Sequence, residues 1–232
     1  MVLHRPPNAT RYVPRNPDAP PGPAAVVPRS TYRHGDLRRA LIDAGMELAR
    51  AGGPDAVVLR EATRRAGVVP NAAYRHFANR DELLGAVRAA AFAAAASCME
   101  RELAELGPAD GSEAFARATV RAVGRGYLRF AQEETGLFRT AFTTRRLAPP
   151  PRDPANAGPG GLTPFELLGA ALDRLVETGA LPAARRPGAE VLAWSTVHGL
   201  ALLLLDGPMQ PVPPEQAEAL SQLLLDMVER GL

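Results

Sequence analysis

The chain has 232 residues, of which 46% are hydrophobic and 5% aromatic, and its formal net charge is +2; this suits one domain or two small ones with a mainly aliphatic core. The single cysteine, Cys98, excludes an internal disulfide and a metal site built from several cysteines, and we expect neither a metal nor another cofactor. The N-terminus has no apolar signal core, and the longest apolar stretch, residues 191–205, is shorter than the roughly 18 residues of a membrane span. We therefore expect a cytoplasmic protein with no membrane partner.

The charge is distributed unevenly along the chain. Residues 1–88 carry 14 arginines and 8 acidic residues, a net charge of +6, and residues 89–232 carry 13 arginines and 17 acidic residues, a net charge of −4. A basic front and an acidic back suggest that the front half meets a polyanion such as DNA.

Helical periodicity dominates the chain after a proline-rich start. Residues 1–30 contain eight prolines and no periodic pattern, which predicts a disordered tail. The first helix begins near Tyr32, ends at Gly52-Gly53-Pro54, and has one apolar face formed by Leu37, Leu41, Ala44 and Leu48. Further helices are predicted at residues 59–67, from Pro70, and at about 80–106, 112–132, 136–142, 164–179, 187–205 and 214–231, with a long loop at 148–164. No alternating strand pattern is present, so the predicted fold class is all-α.

Residues 71–77 predict a short helix with a polar outer face. At 100° per residue, Ala73 and Phe77 share one side and point toward a core. The residues that face away from that core, or flank the outer face, are Asn71, Ala72, Arg75, Tyr74 and His76.

This arrangement suits a helix in the major groove of DNA. Arginine can pair with guanine and asparagine with adenine, and flanking side chains can reach the phosphates on either side. The preceding helix and the turn at Gly67 complete a helix-turn-helix. A small helical hairpin with a polar surface is the alternative that the geometry leaves open.

Residues 32–87 resemble the N-terminal domain of the TetR/AcrR family of transcriptional regulators. The resemblance is carried by YRHGDLR, LREATRRAGV, YRHF and the R-x-E-L-L that opens the fourth helix. Near the other end, WSTVHG (194–199) is similar to the Trp…His-Gly signature of one branch of that family.

The resemblance implies an all-helical homodimer that binds double-stranded DNA and a small-molecule effector. It divides the chain into a tail at 1–30, a three-helix helix-turn-helix domain at 31–80, and an effector-binding and dimerisation domain at 81–232. The long fourth helix joins the last two domains. The last two helices are expected to pair with those of a second copy.

The same resemblance assigns DNA-binding roles. Those implied for base contacts are Pro70, Asn71, Ala72 and Arg75, and those for phosphates are Tyr74, His76 and Arg80. The start of the second helix, at Leu59 and Arg60, would offer a backbone N–H to a phosphate. Tyr32 and Arg33 would form an arm at the DNA edge.

Two positions depart from the family pattern. Val58 and Val69 occupy positions where the family often has a hydroxyl residue, which would cap the following helix. Losing a cap typically costs about 1 kcal/mol, and Pro70 offsets part of this loss at the third helix. The departure bears on operator affinity rather than on the fold.

The acidic back half contains candidate effector-binding residues but no catalytic constellation. Ser195 lies three residues before His198, yet no partnered acid or oxyanion loop accompanies them, and we expect no enzymatic activity. Aromatic, apolar and polar side chains of the middle helices are the effector candidates: Phe115, Thr119, Val123, Tyr127, Phe138, Phe142, Phe165, Leu168, Leu172, Trp194 and His198. Few charges occur among them, which favours a mainly apolar or aromatic effector. A purely structural role in the core is the alternative for Trp194 and His198.

These observations together predict a repressor that an effector releases from a palindromic operator by shifting the fourth helix. Two alternatives remain open from the sequence. One is a DNA-binding regulator without effector control, and the other is an all-α small-molecule binder or enzyme whose basic front is incidental.

Overall fold

The structure is a computed structural model that describes residues 34–142, 153–207 and 210–231. In these ranges every regular element is helical, which confirms the predicted all-α class. The α-helices are α1 (His34–Ala56), α2 (Leu59–Arg65), α3 (Pro70–Ala73), α4 (Arg80–Ala104), α5 (Glu113–Glu133), α6 (Thr135–Phe142), α7 (Pro164–Glu177), α8 (Ala189–Leu205) and α9 (Pro214–Gly231). Three predicted regions lie outside the described residues: the tail at 1–30, the arm residues Tyr32 and Arg33, and residues 148–152 of the loop predicted at 148–164.

Local capping explains why several helix starts were predictable. Asn79 accepts a hydrogen bond from the Glu82 backbone N–H at 3.0 Å, and this cap opens α4. Thr163 and Glu166 form a reciprocal capping box at the start of α7. Each cap satisfies backbone N–H groups that the first turn leaves without a partner inside the helix.

The third helix is shorter than the pattern over residues 71–77 predicts: α3 ends at Ala73. Beyond it, Arg75 N–H donates to the Ala72 carbonyl at 3.3 Å and His76 N–H donates to the Ala73 carbonyl at 2.9 Å. These bonds span three residues, so the chain tightens into a 3₁₀-like turn, and the Phe77 N–H then donates to the same Ala73 carbonyl at 3.0 Å across four residues. Ala73 and Phe77 still face the core, with 0% and 2% of their surface exposed.

The long helix α4 lies at the centre of the packing. Leu83, Val87, Ala91 and Ala95 recur every four residues along its buried face. Helix α5 crosses it closely at Gly126, where an added Cβ would lie 2.5 Å from the Met99 Cα. By length and composition alone α4 would also qualify as a membrane span, a test that buried core helices of soluble proteins pass as well.

Helix α6 packs against the C-terminal part of α1. At Gly136 an added Cβ would lie 2.2 Å from the Ala49 carbonyl oxygen, so only glycine allows this approach. The Arg50 guanidinium also forms an ion pair with Glu134, with Nε and Oε2 3.0 Å apart.

Helices α1–α9 form one compact unit. The predicted domain division at residue 80 coincides with the first residue of α4 and stays a prediction.

Helices α8 and α9 each bury one face and expose apolar residues on another. The buried face of α8 includes Ala193, Val197 and Leu204. On α9 the buried residues are Ala217, Ser221 and Leu225, whereas Met227 is 62% exposed. The large apolar side chains that remain exposed on these two helices are Val191, Leu192, Leu202, Leu203, Leu223 and Met227.

Candidate functional site

The recognition segment, residues 69–77, presents polar side chains on an apolar support. Asn71, Tyr74 and Arg75 are exposed, with 58% of the tyrosine surface accessible. Beneath them Phe77 is buried, and the Arg38 guanidinium carbon lies 5.2 Å from the centre of its ring. The support fixes the backbone, so the outer side chains project from a defined surface.

The remaining predicted DNA-binding residues near this surface differ in how exposed they are. Ala72 and His76 are half-buried, and Pro70 is exposed at the first position of α3. Leu59 is 6% exposed, so its side chain belongs to the core and only its backbone N–H could meet a phosphate. Arg60 beside it is exposed.

Two other arginines of α2 are held by an acidic residue. Arg64 and Arg65 both donate hydrogen bonds to the Glu61 carboxylate, at distances of 2.7–3.2 Å. The hydrogen bonds from Arg64 and then Arg65 lower the pKa of Glu61 to about 2. The carboxylate is therefore ionised at neutral pH and offsets part of the positive charge of this helix.

Arg80 has a structural role that the sequence did not indicate. Its Nε donates to the Val57 carbonyl at 2.9 Å and its Nη2 donates to the Pro54 carbonyl at 2.7 Å. These bonds tie the start of α4 to the connection between α1 and α2. The side chain is still 40% exposed, and its predicted phosphate contact stays a prediction.

Val58 and Val69 precede α2 and α3 without capping them. Neither side chain makes a capping hydrogen bond, as the sequence predicted. Their exposed fractions are 43% and 69%. The two valines thus leave helix N-termini uncapped and place apolar surface in contact with solvent.

A second candidate site is the aromatic cluster, formed by Tyr127, Phe138, Phe142, Trp194 and His198. The Tyr127 hydroxyl lies 2.7 Å from His198 Nδ1, within hydrogen-bond distance. The Tyr127 ring packs edge-on against Trp194, with the ring centres 4.8 Å apart. His198 also lies 5.7 Å from Phe138 and 5.5 Å from Phe142, measured between ring centres. Three helices, α5, α6 and α8, therefore meet at one group of rings.

Burial sets the protonation of the polar pair in this cluster. It raises the pKa of the Tyr127 phenol and lowers the pKa of the His198 imidazole. Both groups are thus neutral at pH 7. The direction of their hydrogen bond depends on the histidine tautomer: the Tyr127 O–H donates to Nδ1 when the imidazole proton is on Nε2, and Nδ1–H donates to the phenol oxygen when it is not.

A small cavity of about 20 Å³ adjoins the cluster. Of the predicted effector residues, Val123, Tyr127, Leu168 and Trp194 line it. This volume holds about one water molecule, whereas small-molecule sites typically measure roughly 300–1,000 Å³. Large side chains therefore close the site in this structure.

The other predicted effector residues occupy different surroundings. Phe165 packs against Trp194 at the edge of the cluster, with ring centres 5.8 Å apart. Phe115, Thr119 and Leu172 are not among the residues that line the cavity, and Leu172 is fully buried in the core.

A larger depression of about 600 Å³ lies between α4 and α5. It is lined by small and charged residues, among them Cys98, Glu100, Arg101, Glu133 and Glu134. None of the predicted effector residues lines it. No sequence pattern indicated it, because residues far apart along two helices form its wall.

Within the described residues, no group of three or more His, Cys, Asp or Glu residues is placed to hold a metal ion.

Two family models match the chain. Residues 41–87 match the model described as bacterial regulatory proteins, tetR family, and residues 120–228 match the tetracyclin repressor-like C-terminal domain. The second match spans Trp194 and His198, although membership of the Trp…His-Gly branch stays a prediction. No curated protein gave a significant match.

Solved structures with the same fold cover most of the chain. A protein of unknown function from Rhodococcus sp. RHA1 is 25% identical, covers 88% of this chain and 99% of its own, and has a TM-score of 0.68. FadR from Bacillus subtilis, solved with stearoyl-CoA, is 17% identical with coverages of 84% and 98% and a TM-score of 0.60. The TetR family regulator PfmR from Thermus thermophilus is 20% identical with coverages of 83% and 98% and a TM-score of 0.50. With both its N-terminal and its C-terminal region matched, the chain belongs to the TetR family of transcriptional regulators.

Proposed function

We propose that this regulator is a repressor that binds a palindromic operator as a homodimer and is released by a small, mainly apolar or aromatic effector. The observation that carries the proposal is the recognition segment. It exposes Asn71, Tyr74 and Arg75 while Ala73 and Phe77 anchor it from below. Side chains that can pair with bases and phosphates thus project from a fixed backbone, as major-groove recognition requires.

In this proposal the outer residues of the recognition segment divide between bases and phosphates. Those facing base edges are Pro70, Asn71, Ala72 and Arg75, and those facing phosphates are Tyr74, His76 and Arg80. A backbone N–H at Leu59 or Arg60 adds a phosphate contact. Tyr32 and Arg33, which precede α1 in the sequence, contribute at the DNA edge.

The exposed apolar face of α8 and α9 supports the homodimer. Val191, Leu192, Leu202 and Leu203 are 42–69% exposed on α8, and Leu223 and Met227 continue the apolar surface on α9. A monomer in water gains nothing from such a face, whereas a second copy of the same two helices would bury it. Two recognition segments related by a twofold axis would then match a palindromic operator.

The aromatic cluster supports an apolar or aromatic effector. Its rings come from α5, α6 and α8, and its single polar pair, Tyr127 and His198, is neutral. FadR from Bacillus subtilis, which has a similar fold, was solved in complex with stearoyl-CoA, a molecule with a long apolar chain. In this protein the cavity measures only about 20 Å³, so a ligand would have to push aside the large side chains that line it, such as Trp194.

Helix α6 offers a route from the cluster to the DNA-binding helices. Phe138 and Phe142 place one side of α6 in the cluster. On its other side, Gly136 touches the end of α1 and the Thr140 carbonyl accepts a hydrogen bond from Arg88 of α4 at 3.2 Å. An effector that spreads the rings would move α6, and with it α1 and α4. The ligand can shift this equilibrium only by preferring the opened arrangement.

A regulator without effector control is the second candidate. The closed cavity favours it, because a packed aromatic cluster can serve as ordinary core. It shares the DNA-binding and dimer surfaces with the first candidate and differs only in the absence of a ligand response.

The test is a DNA-binding assay with matched variants. A duplex is selected from random-sequence DNA with the wild-type protein, and its affinity is measured by fluorescence anisotropy at two salt concentrations. Tyr74→Ala/Arg75→Ala should weaken binding by at least tenfold, since the Arg75 base contact is worth about 1–3 kcal/mol and the variant also removes the Tyr74 phosphate contact. Arg174→Ala, which removes an exposed arginine from α7, should bind like the wild type.

The same assay then tests effector control. Apolar and aromatic compounds are screened for release of the DNA, and hits are repeated with Trp194→Ala and Ala104→Phe. The first variant enlarges the cluster cavity and the second fills the depression between α4 and α5. An altered response only in Trp194→Ala supports the cluster as the effector site. Failure of every compound to release the DNA supports the second candidate, and failure of the wild type to select any duplex would refute both.

A further inference from the structure

The large hydrophobic side chains exposed by the described part of the chain lie in two places. Six of the nine lie on the face of α8 and α9 proposed for the dimer. The other three, Val58, Val69 and Tyr74, lie on the helix-turn-helix. Exposed apolar groups concentrated at functional surfaces are expected to meet a partner. Tyr74 already has a proposed contact, but nothing in the repressor proposal uses the valines.

Val69 occupies the N-terminal end of the recognition segment and is the more exposed of the two valines, at 69%. Its backbone is extended, its side chain makes no capping bond, and Pro70 follows at the first position of α3. The Ala72 N–H donates to the Val69 carbonyl at 3.0 Å, which folds Ala72 back toward Val69. The N-terminal residues of a recognition helix are those that reach base edges.

The chemistry of valine limits what it can contact there. Its side chain has neither a donor nor an acceptor, so it can bind no phosphate and read no hydrogen-bonding edge. The apolar group that the major groove offers is the C5-methyl group of thymine. The exposed arginines on either side along the chain, Arg60 and Arg75, favour a polyanion as the partner over an apolar protein surface.

We infer that Val69 is a specificity residue, which packs together with Ala72 against the methyl group of a thymine in each half-site of the operator. This inference rests on the proposed DNA-binding function and adds a base preference that hydrogen bonding by Asn71 and Arg75 does not supply. The hydroxyl residue common at this position in the family would cap α3. Valine cannot cap the helix, but it can make an apolar contact that a hydroxyl residue cannot.

The experiment removes the methyl group from the DNA. The duplex selected by the wild type is first inspected for thymine enriched at a symmetrical position of both half-sites. Each thymine is then replaced, one position at a time, by deoxyuridine, which pairs identically but lacks the methyl. At the contacted position the wild-type Kd should rise about fourfold for each methyl lost, and therefore about sixteenfold when both half-sites are changed.

Val69→Ser is the matched protein variant. It should lose most of the preference for thymine over deoxyuridine, with only the contact of Ala72 remaining, and because serine restores a helix cap it should be no less stable than the wild type. Val58→Ser is the control, since it makes the same change at the start of α2, where a helix-turn-helix crosses the phosphate backbone. That variant should change the affinity for both duplexes by the same factor and keep their ratio.

Three results would overturn the inference while leaving DNA binding established. The first is an operator without enriched thymine at a symmetrical position, and the second is a wild-type Kd that no deoxyuridine replacement changes. The third is a thymine preference that is as large in Val69→Ser as in the wild type. If the wild type selects no duplex, the proposed function itself fails and the inference fails with it.

Discussion

At the recognition segment, Asn71, Tyr74 and Arg75 project into solvent from a buried support, whereas in the aromatic cluster Tyr127 and His198 are bonded to each other between packed helices. The first surface can meet its partner without rearrangement. The second must lose contacts before it can accept one. Substitutions at the DNA-binding end should therefore alter affinity with little change in stability, while substitutions in the interior should alter stability first.

The largest expected effect comes from a buried charge in the interior. The Glu102 carboxylate is 1% exposed and forms ion pairs with Arg125 and Arg129. Replacing both arginines by methionine leaves this carboxylate unpaired, and we expect the free energy of unfolding to fall by about 3–5 kcal/mol. Chemical denaturation at fixed protein concentration measures this.

Arg75→Ala at the recognition segment provides the contrast for that variant. Because Arg75 is exposed, its removal should change the free energy of unfolding by no more than about 0.5 kcal/mol. If Arg75→Ala lowers the free energy of unfolding as much as replacing both arginines by methionine, the recognition segment and the interior do not differ as proposed.

An intermediate effect is expected where α6 meets α1. In Gly136→Ala the new Cβ would lie 2.2 Å from the Ala49 carbonyl oxygen, so the helices must separate. We expect a loss of about 1–3 kcal/mol in the free energy of unfolding. In Gly85→Ala the new methyl meets no atom within 4 Å, and this helix-interior change should stabilise the protein by roughly 0.5–1 kcal/mol. A neutral Gly136→Ala would show that α6 does not press on α1, and the proposed route for the effector signal would lose its support.

The smallest expected effect is the pH dependence of the aromatic cluster. Because burial lowers the pKa of His198, the unfolded chain binds a proton more readily than the folded one. The contribution of His198 is therefore fully present above the unfolded pKa of about 6.5 and declines as the pH falls below it, by at most about 1.4 kcal/mol per pH unit.

Unfolding free energies measured between pH 7.5 and 5 should show this slope in the wild type and a flatter one in His198→Gln. An identical slope in both proteins would assign the pH dependence to other groups and remove the cluster from the explanation.

Local interactions made much of the architecture predictable. The apolar repeat of Leu41, Ala44 and Leu48 indicated the first helix, and Gly52 and Gly53, whose backbone angles are not helical, interrupt α1 at the predicted stop. Both signals were readable because periodicity and backbone freedom act over a few residues. The outward position of Arg75 and the missing helix cap at Val69, where α3 starts, were likewise predictable from local sequence. The truncation of α3 at Ala73 escaped prediction, since a 3₁₀-like turn and an α-helix place similar side chains at similar spacing.

The helical class, most helix boundaries and the outer face of the recognition segment follow from the sequence alone, because each depends on neighbours within one or two turns. The family follows from it too, because its motifs are short runs of residue types. Three contacts required the folded chain: Tyr127 with His198, Arg80 with the carbonyls of Pro54 and Val57, and Glu102 between two arginines. Those contacts join residues 23 or more positions apart. Their geometry follows from how closely the helices cross, and that is set by packing across the whole core rather than by any local pattern.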